Sequence, residues 1–365
     1  MLAIRSPYAI GMLALTLPLA ACSDGTAGPG QVPARLSFRT TTGGTARQPL
    51  AVVEVEIQDA NGHLVTSAND EVTIRLDVNP GSLVLHASGA AANDRIIELV
   101  DQLHPEVLTP FLSNNEGTGE TLAMVYDSAA AVVLSTDLDN ALNAIDPVTG
   151  ALTNIGDLGA SLKGIAFESS SGRLIGAAAF TDSVMQVNQT TGVGTWLGRV
   201  TAGTDSIEGF NGLAEDPVSG TLYAVVKLRD NPNRKVRSLV TLDIAALAAT
   251  SVAALSENGV AGISFARDGT LLAVTGDGAD IPETLWQVTK TDGTMTSIVT
   301  MGNGADGESI AVVPAFLTGT LTVQAVNGVA AFTGLVITAA ADGYTFAATA
   351  PGLTSATSAA FNIVP

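Results

Sequence analysis

The chain has 365 residues, a formal net charge of −19, 46% hydrophobic residues and only 14% charged residues. A length of this size leaves room for two or three domains of ~150 residues, and two fit best. The acidic excess repels phosphates and anionic lipid head groups, which excludes nucleic acid as a main partner. The abundance of Ala, Val, Thr and Gly favours short strands and tight turns, so we expect an all-β protein.

The N-terminal segment predicts export. Arg5 precedes an apolar run at residues 8–19 that is too short to span a bilayer and suits a signal-peptide core. The following Leu19-Ala20-Ala21-Cys22 resembles the bacterial lipobox, which implies removal of residues 1–21 and acylation of Cys22. Cys22 is the only cysteine of the chain, so it cannot form an internal disulfide. This agrees with acylation of its thiol in an exported protein. An ordinary secretory peptide is the alternative.

Residues 22–33 are rich in Gly and Pro and lack apolar periodicity, which predicts a flexible tether. We therefore expect an exported protein, anchored to the bacterial cell envelope through a lipid on Cys22. Asp24 resembles the inner-membrane retention signal of some Gram-negative lipoproteins. The choice between the inner membrane, the outer membrane and the cell surface stays open.

Two terminal segments, 34–81 and 316–365, show the alternation of half-buried strands. Asn61-Gly62 predicts a tight turn in the first segment, and Asn327-Gly328 predicts a hairpin in the second. Residues 55–65 and 343–363 resemble the bacterial Ig-like domains of adhesins and other surface proteins. That resemblance implies one Ig-like β-sandwich, acting as a spacer or attachment element, that is interrupted after Gly81.

The interrupting segment, 82–315, repeats at about 40 to 55 residues, which is the spacing of propeller blades. One phrase, a strand, a Gly turn and a second strand, begins at Leu162, at Phe210 and at Val260. A second phrase ends in a polar turn and is most complete at residues 145–150. These phrases resemble the YVTN-type and NHL-type blades of surface and periplasmic β-propellers.

The repeats predict five blades, with six as the alternative count. Four are continuous, at residues 121–158, 162–200, 209–255 and 260–301. The fifth combines strands near 82–87, 95–100 and 107–111 with an innermost strand near 308–313, so that the ring closes on itself. Such closure places the two ends of the insert side by side, as insertion into another domain requires.

Acidic and amide residues near the starts of the inner strands predict a candidate site at the mouth of the channel. Lactonase-like propellers bind Ca²⁺ with Glu, Asn and Asp there, and oxygen ligands suit this cation. The resemblance makes Ca²⁺ the candidate cofactor, although Lys163 at an equivalent position would oppose a cation. Solvated loop acids are the alternative. The matching positions are Glu208, Asn211, Asp306 and Glu308.

Nucleophilic catalysis finds little support in the sequence. His63 and His104 fall in predicted loops, His86 falls in a predicted strand, and none has a Gly-x-Ser-x-Gly motif beside it. No two histidines share a metal-ligand spacing. We therefore predict no catalytic residue.

A basic group stands out in the acidic chain, within a long hairpin loop of the third continuous blade. Long blade loops often contact partners, and a basic one would suit an acidic polysaccharide or protein. A solvated loop balanced by nearby acids is the alternative. The group consists of Lys227, Arg229, Arg234, Lys235 and Arg237.

Together these patterns favour a non-enzymatic cell-envelope lipoprotein, in which a propeller serves as a binding module on an Ig-like stem. The alternative is a metal-dependent propeller hydrolase or lactonase with its carboxylates at the channel mouth. Both hypotheses rest on analogy with proteins of similar fold, and neither identifies a ligand.

Overall fold

The computed structural model describes residues 31–89, 95–101, 103, 106–114, 120–230, 236–276, 278–301 and 306–365. Every regular element in these residues is a β-strand, which confirms the all-β prediction. No helix among them offers the length and apolarity that a membrane span needs. The predicted leader and Cys22 lie outside the described residues.

The first terminal segment forms strands that alternate between buried and solvent-facing side chains. In β3, for example, Val53, Val55 and Ile57 are buried, while the residues between them are half-buried. The four strands of this segment are β1 (Arg35–Phe38), β2 (Gly44–Thr45), β3 (Val53–Gln58) and β4 (Glu71–Leu76).

The inserted segment folds into five four-stranded antiparallel sheets within the described residues. The first three strands of the insert are β5 (Ser82–Gly89), β6 (Arg95–Asp101) and β7 (Glu106–Asn114). The next eight form two sheets: β8 (Thr121–Asp127), β9 (Val132–Asp137), β10 (Ala141–Ile145), β11 (Leu152–Asp157), β12 (Leu162–Glu168), β13 (Arg173–Ala178), β14 (Ser183–Val187) and β15 (Gly194–Arg199).

Two further continuous sheets and a single strand complete the insert. The strands are β16 (Ile207–Glu215), β17 (Leu222–Leu228), β18 (Val236–Asp243), β19 (Ala248–Asn258), β20 (Val260–Phe265), β21 (Leu271–Thr275), β22 (Thr284–Val288), β23 (Met295–Thr300) and β24 (Asp306–Pro314). Strand β24 pairs with β5, and the resulting order β24-β5-β6-β7 is the composite sheet that the repeats predict.

The inner strands of the five sheets contact one another in a closed circle. In order around the circle they are β24, β8, β12, β16 and β20, and β20 returns to β24. Radial sheets with their first strands around a common axis define a propeller, so the predicted fold is confirmed with five blades. Because each inner strand has neighbours on both sides, the ring has no open edge at its centre.

The second terminal segment returns to the first and pairs with it. Strand β27 pairs with β3, while β26 and β30 pair with opposite edges of β4. Strand β32 pairs with β2, which joins the two ends of the chain. The strands of this segment are β25 (Leu317–Thr318), β26 (Thr322–Gln324), β27 (Val329–Phe332), β28 (Val336–Ile337), β29 (Ala341–Tyr344), β30 (Phe346–Thr349), β31 (Ala356–Thr357) and β32 (Phe361–Val364). We call this two-part module the stem.

The predicted hairpin at Asn327-Gly328 is present only at the turn itself, where Val326 and Val329 form an antiparallel bridge with backbone hydrogen bonds of 2.9 and 3.1 Å. Both residues take positive φ, as a tight turn requires, but the strands on either side join different sheets. Strand β26 continues the sheet of β4, and β27 continues the sheet of β3. Ala325 and Phe332 are buried beside the turn, so side-chain burial between two sheets, rather than cross-strand pairing, determines the paths of these strands.

The insert leaves and rejoins the stem at one point. The Ala315 N–H donates to the Gly81 carbonyl at 2.9 Å, and Asn79 Nδ2 donates to the Ala315 carbonyl at 2.7 Å. A Cβ on Gly81 would collide with the hydroxyl of Tyr344, a fully buried stem residue. The Phe316 N–H donates to Thr338 Oγ1 at 2.8 Å, which connects the end of the insert to the second half of the stem.

Candidate functional site

Each inner strand carries a β-bulge near its start. A bulge inserts one residue that has no partner in the neighbouring strand and re-aims its side chain. One bulge of each inner strand falls at the same place in the blade, so five inserted residues surround one end of the axial channel, which we call the channel mouth. They are Leu122, Lys163, Asn211, Ala261 and Glu308. Strand β16 has a second bulge at Glu208, nearer its start.

The next residue of each inner strand is small, and here the strands approach most closely. A Cβ on Gly164 would lie 2.7 Å from the Leu213 Cβ, and one on Gly212 would lie 2.9 Å from Ile263 Cγ1. Contacts this short have no room for a side chain. The small-residue ring consists of Ala123, Gly164, Gly212, Gly262 and Ser309.

An ion pair crosses the channel mouth. Lys163 Nζ lies 2.8 Å from Glu308 Oε2, and the Glu308 side chain is almost fully buried. Their strands, β12 and β24, are not neighbours in the ring, because β8 lies between them. We expected the positive charge of Lys163 to oppose a cation at the mouth, and in the structure Lys163 is the counter-ion of Glu308.

Glu308 also interacts with Glu120, which precedes β8. Burial raises the pKa of Glu308 to about 7, and its hydrogen bond with Glu120 raises it as well, while the ammonium group of Lys163 opposes both. The channel mouth therefore holds a carboxyl group that titrates near neutral pH.

The basic hairpin β17–β18 lies against the same mouth. Lys227 Nζ lies 3.2 Å from Glu208 Oε2, and Arg229 Nε lies 3.9 Å from Glu208 Oε1. Arg237 Nε donates to Asn211 Oδ1 at 3.0 Å. The acidic and basic groups, which we predicted as two separate sites, therefore contact each other at the mouth.

The remaining members of the basic group, Arg234 and Lys235, lie outside the described residues. So does the side chain of Asp306. Within the described residues, no three His, Cys, Asp or Glu side chains are grouped as a metal site would need. Glu208 and Glu308 instead contact cationic side chains, and the calcium site stays a prediction.

The two described histidines lie in different parts of the chain, one in the insert and one in the stem. His86 is fully buried in β5, a strand that the sequence predicts. His63 is exposed in its loop, and its Nδ1 lies 3.4 Å from Asp59 Oδ2. His104 lies outside the described residues.

Sequence reasoning missed a set of exposed apolar side chains around the mouth. The hairpins between the second and third strands of the blades lie on the same face of the propeller as the starts of the inner strands, and we call this the mouth face. Among the described residues, three of these hairpins expose a large apolar residue: Leu138 (46% exposed), Phe180 (74%) and Ile281 (45%). A signal was available, because each of the three stands alone in a short polar connection.

No protein-family model matches the chain, and no curated protein matches it. Solved structures that it resembles include a nidogen/laminin complex, with 14% identity and a TM-score of 0.44 over 64% of this chain and 98% of that one. A structural genomics protein of unknown function from Bacteroides thetaiotaomicron has 12% identity and a TM-score of 0.41, over 85% and 100%. A gluconolactonase from Xanthomonas campestris has 12% identity and a TM-score of 0.38, over 73% and 97%. At these identities and scores the likeness extends to neither ligand nor activity.

The pKa of Glu308 predicts how stability depends on pH. Because the folded-state pKa of about 7 exceeds the ordinary value of 4.5, the folded chain holds this proton more tightly than the unfolded chain does. The free energy of unfolding should therefore fall as pH rises from about 4.5 through about 7, by at most ~1.4 kcal/mol per pH unit. Glu308→Gln should flatten this slope in urea unfolding series, and exposed Glu71→Gln should not. An unchanged slope in Glu308→Gln would contradict the assignment.

Proposed function

We propose that this chain is a non-enzymatic binding protein of the bacterial cell envelope, anchored by a lipid on Cys22. The stem spaces the propeller from the membrane, and the mouth face holds a macromolecular ligand. One observation carries the binding role: Leu138, Phe180 and Ile281 project from three different blades around a mouth whose charged groups are paired.

The mouth face has the composition of a contact surface. Exposed apolar side chains of this size are common singly, but three at equivalent hairpins on one face suit a partner that covers that face. The basic hairpin stands between the blades of Phe180 and Ile281, and its cations would favour acidic groups on the partner. An acidic protein surface fits this pattern best, and an acidic polysaccharide is the second partner class.

The fixed positions of the residues at the channel mouth suit binding of a ligand better than catalysis. Lys163, Asn211 and Glu308 are held by bulges in three different strands, and the Lys163–Glu308 pair ties two non-adjacent blades together. A site fixed in this way would lose little conformational entropy on association.

The binding proposal predicts that loss of the apolar residues on the mouth face abolishes ligand capture. The test variant combines Leu138→Ser, Phe180→Ser and Ile281→Ser. The matched control combines Val148→Ser, Val193→Ser and Val218→Ser, three exposed valines in turns at the opposite face. The purified chains are immobilised, exposed to envelope extract from the bacterium that makes them, and compared by quantitative mass spectrometry.

We expect at least one protein that the native chain and the control variant retain and that the test variant loses by tenfold or more. A parallel array of acidic polysaccharides tests the second partner class. Both variants should keep the native melting temperature, because none of the six side chains is buried. Equal capture profiles for all three chains would contradict a ligand at the mouth face.

The hydrolase alternative has one observation in its favour, the carboxyl group of Glu308 with its pKa of about 7. Such a group can serve as a general acid or base at neutral pH. A metal-dependent reaction would also need oxygen ligands around a cation, and in the described residues Glu208 and Glu308 already contact Lys227 and Lys163.

The binding proposal, unlike the hydrolase alternative, predicts that calcium does not stabilise the protein. The melting temperature of the full chain, measured by calorimetry, should be the same in about 1 mM EDTA as in about 1 mM CaCl₂. This calcium concentration would occupy a weak site. A rise with calcium that disappears in Glu308→Gln would favour the hydrolase over the binding protein.

A further inference from the structure

A cavity of about 420 Å³ lies at the end of the channel opposite the mouth. All five inner strands contribute consecutive residues to its wall, beyond the small-residue ring. The main contributions are 124–126, 165–167, 213–215, 263–265 and 312–314. Since an engineered apolar cavity of ~150 Å³ binds benzene, this one has room for a larger molecule.

The wall of the cavity is mainly apolar. Tyr126 and Phe167 stand at equivalent positions of β8 and β12, three residues after the small-residue ring, and Phe265 stands at that position in β20. Ile165 and Leu213 lie closer to the ring. Ligand sites in proteins combine such apolar walls with a few polar groups that set orientation.

Two charged residues border the cavity, and they differ in what they contact. Arg267 Nη1 donates to the Asn79 carbonyl of the connection to the stem. Glu215 belongs to β16, at the position that Phe167 occupies in β12, and its Oε2 accepts the Ser169 N–H at 2.6 Å. A carboxylate has about four acceptor sites, so this bond leaves Glu215 able to accept more.

We propose that this cavity binds a small hydrophobic amine. The hydrocarbon part would lie against the apolar wall, and the protonated amine would donate to the carboxylate of Glu215. The face of Phe167 would attract the same positive charge. Two other rings of the wall already have a cation nearby: Arg267 interacts electrostatically with Tyr126, and Lys290 Nζ lies 5.4 Å from the centroid of Phe265. The net charge of −19 adds long-range attraction for cations.

The test uses three probes that share a phenylbutyl body and differ only in the head group: 4-phenylbutylamine, 4-phenylbutanol and 4-phenylbutyrate. Isothermal titration calorimetry on the full chain at neutral pH should rank their affinities as amine, then alcohol, then acid, with at least tenfold between the first and the last. Glu215→Gln should lower the affinity for the amine to about that for the alcohol and leave the alcohol unchanged. Exposed Glu71→Gln is the matched control.

A second variant tests the location. Ser169 is exposed at the edge of the cavity, so Ser169→Trp should fold normally and weaken all three probes by tenfold or more. The mouth-face variant should bind the probes like the native chain, which keeps this proposal independent of the one above. Absence of binding by any probe would overturn the proposal. So would tightest binding of the acid, or equal binding to Ser169→Trp.

Discussion

The pairing of β24 with β5 is the constraint on which the rest of the structure depends. It joins residues that are more than two hundred positions apart and supplies the composite blade with its innermost strand. Without it the ring of inner strands would be open between β20 and β8. The same pairing ends beside Gly81 and Ala315, whose backbone hydrogen bond places both connections to the stem at one point.

Ring closure in turn produces the two ends of the channel. Five inner strands fit around one axis only where their side chains are small, and the glycines of β12, β16 and β20 lie in van der Waals contact with the following strand. This narrow section separates a polar mouth, bridged by Lys163 and Glu308, from an apolar cavity. The two ends therefore differ in chemistry and can serve different ligands.

The strand patterns and glycine turns predicted the architecture, including the composite blade, because period-two alternation and positive-φ turns are local properties of the chain. The candidate residues Glu308 and Asn211 lie at bulges of two inner strands. The sequence did not predict their contacts with Lys163 and Arg237, because these contacts depend on how the blades are arranged around the axis. The separation of the strands beside Asn327-Gly328 and the cavity near Glu215 likewise arise only from assembled sheets.

We infer that the two terminal segments, 34–81 and 316–365, form one folding unit, the stem, into which the propeller is inserted. The most direct measurement is to replace residues 82–314 by a Gly-Ser linker of about four residues, since Gly81 and Ala315 are hydrogen-bonded neighbours. If the stem is one folding unit, the resulting chain should give a β-type circular dichroism spectrum and a cooperative thermal transition. A spectrum typical of an unfolded chain, with no transition, would contradict it.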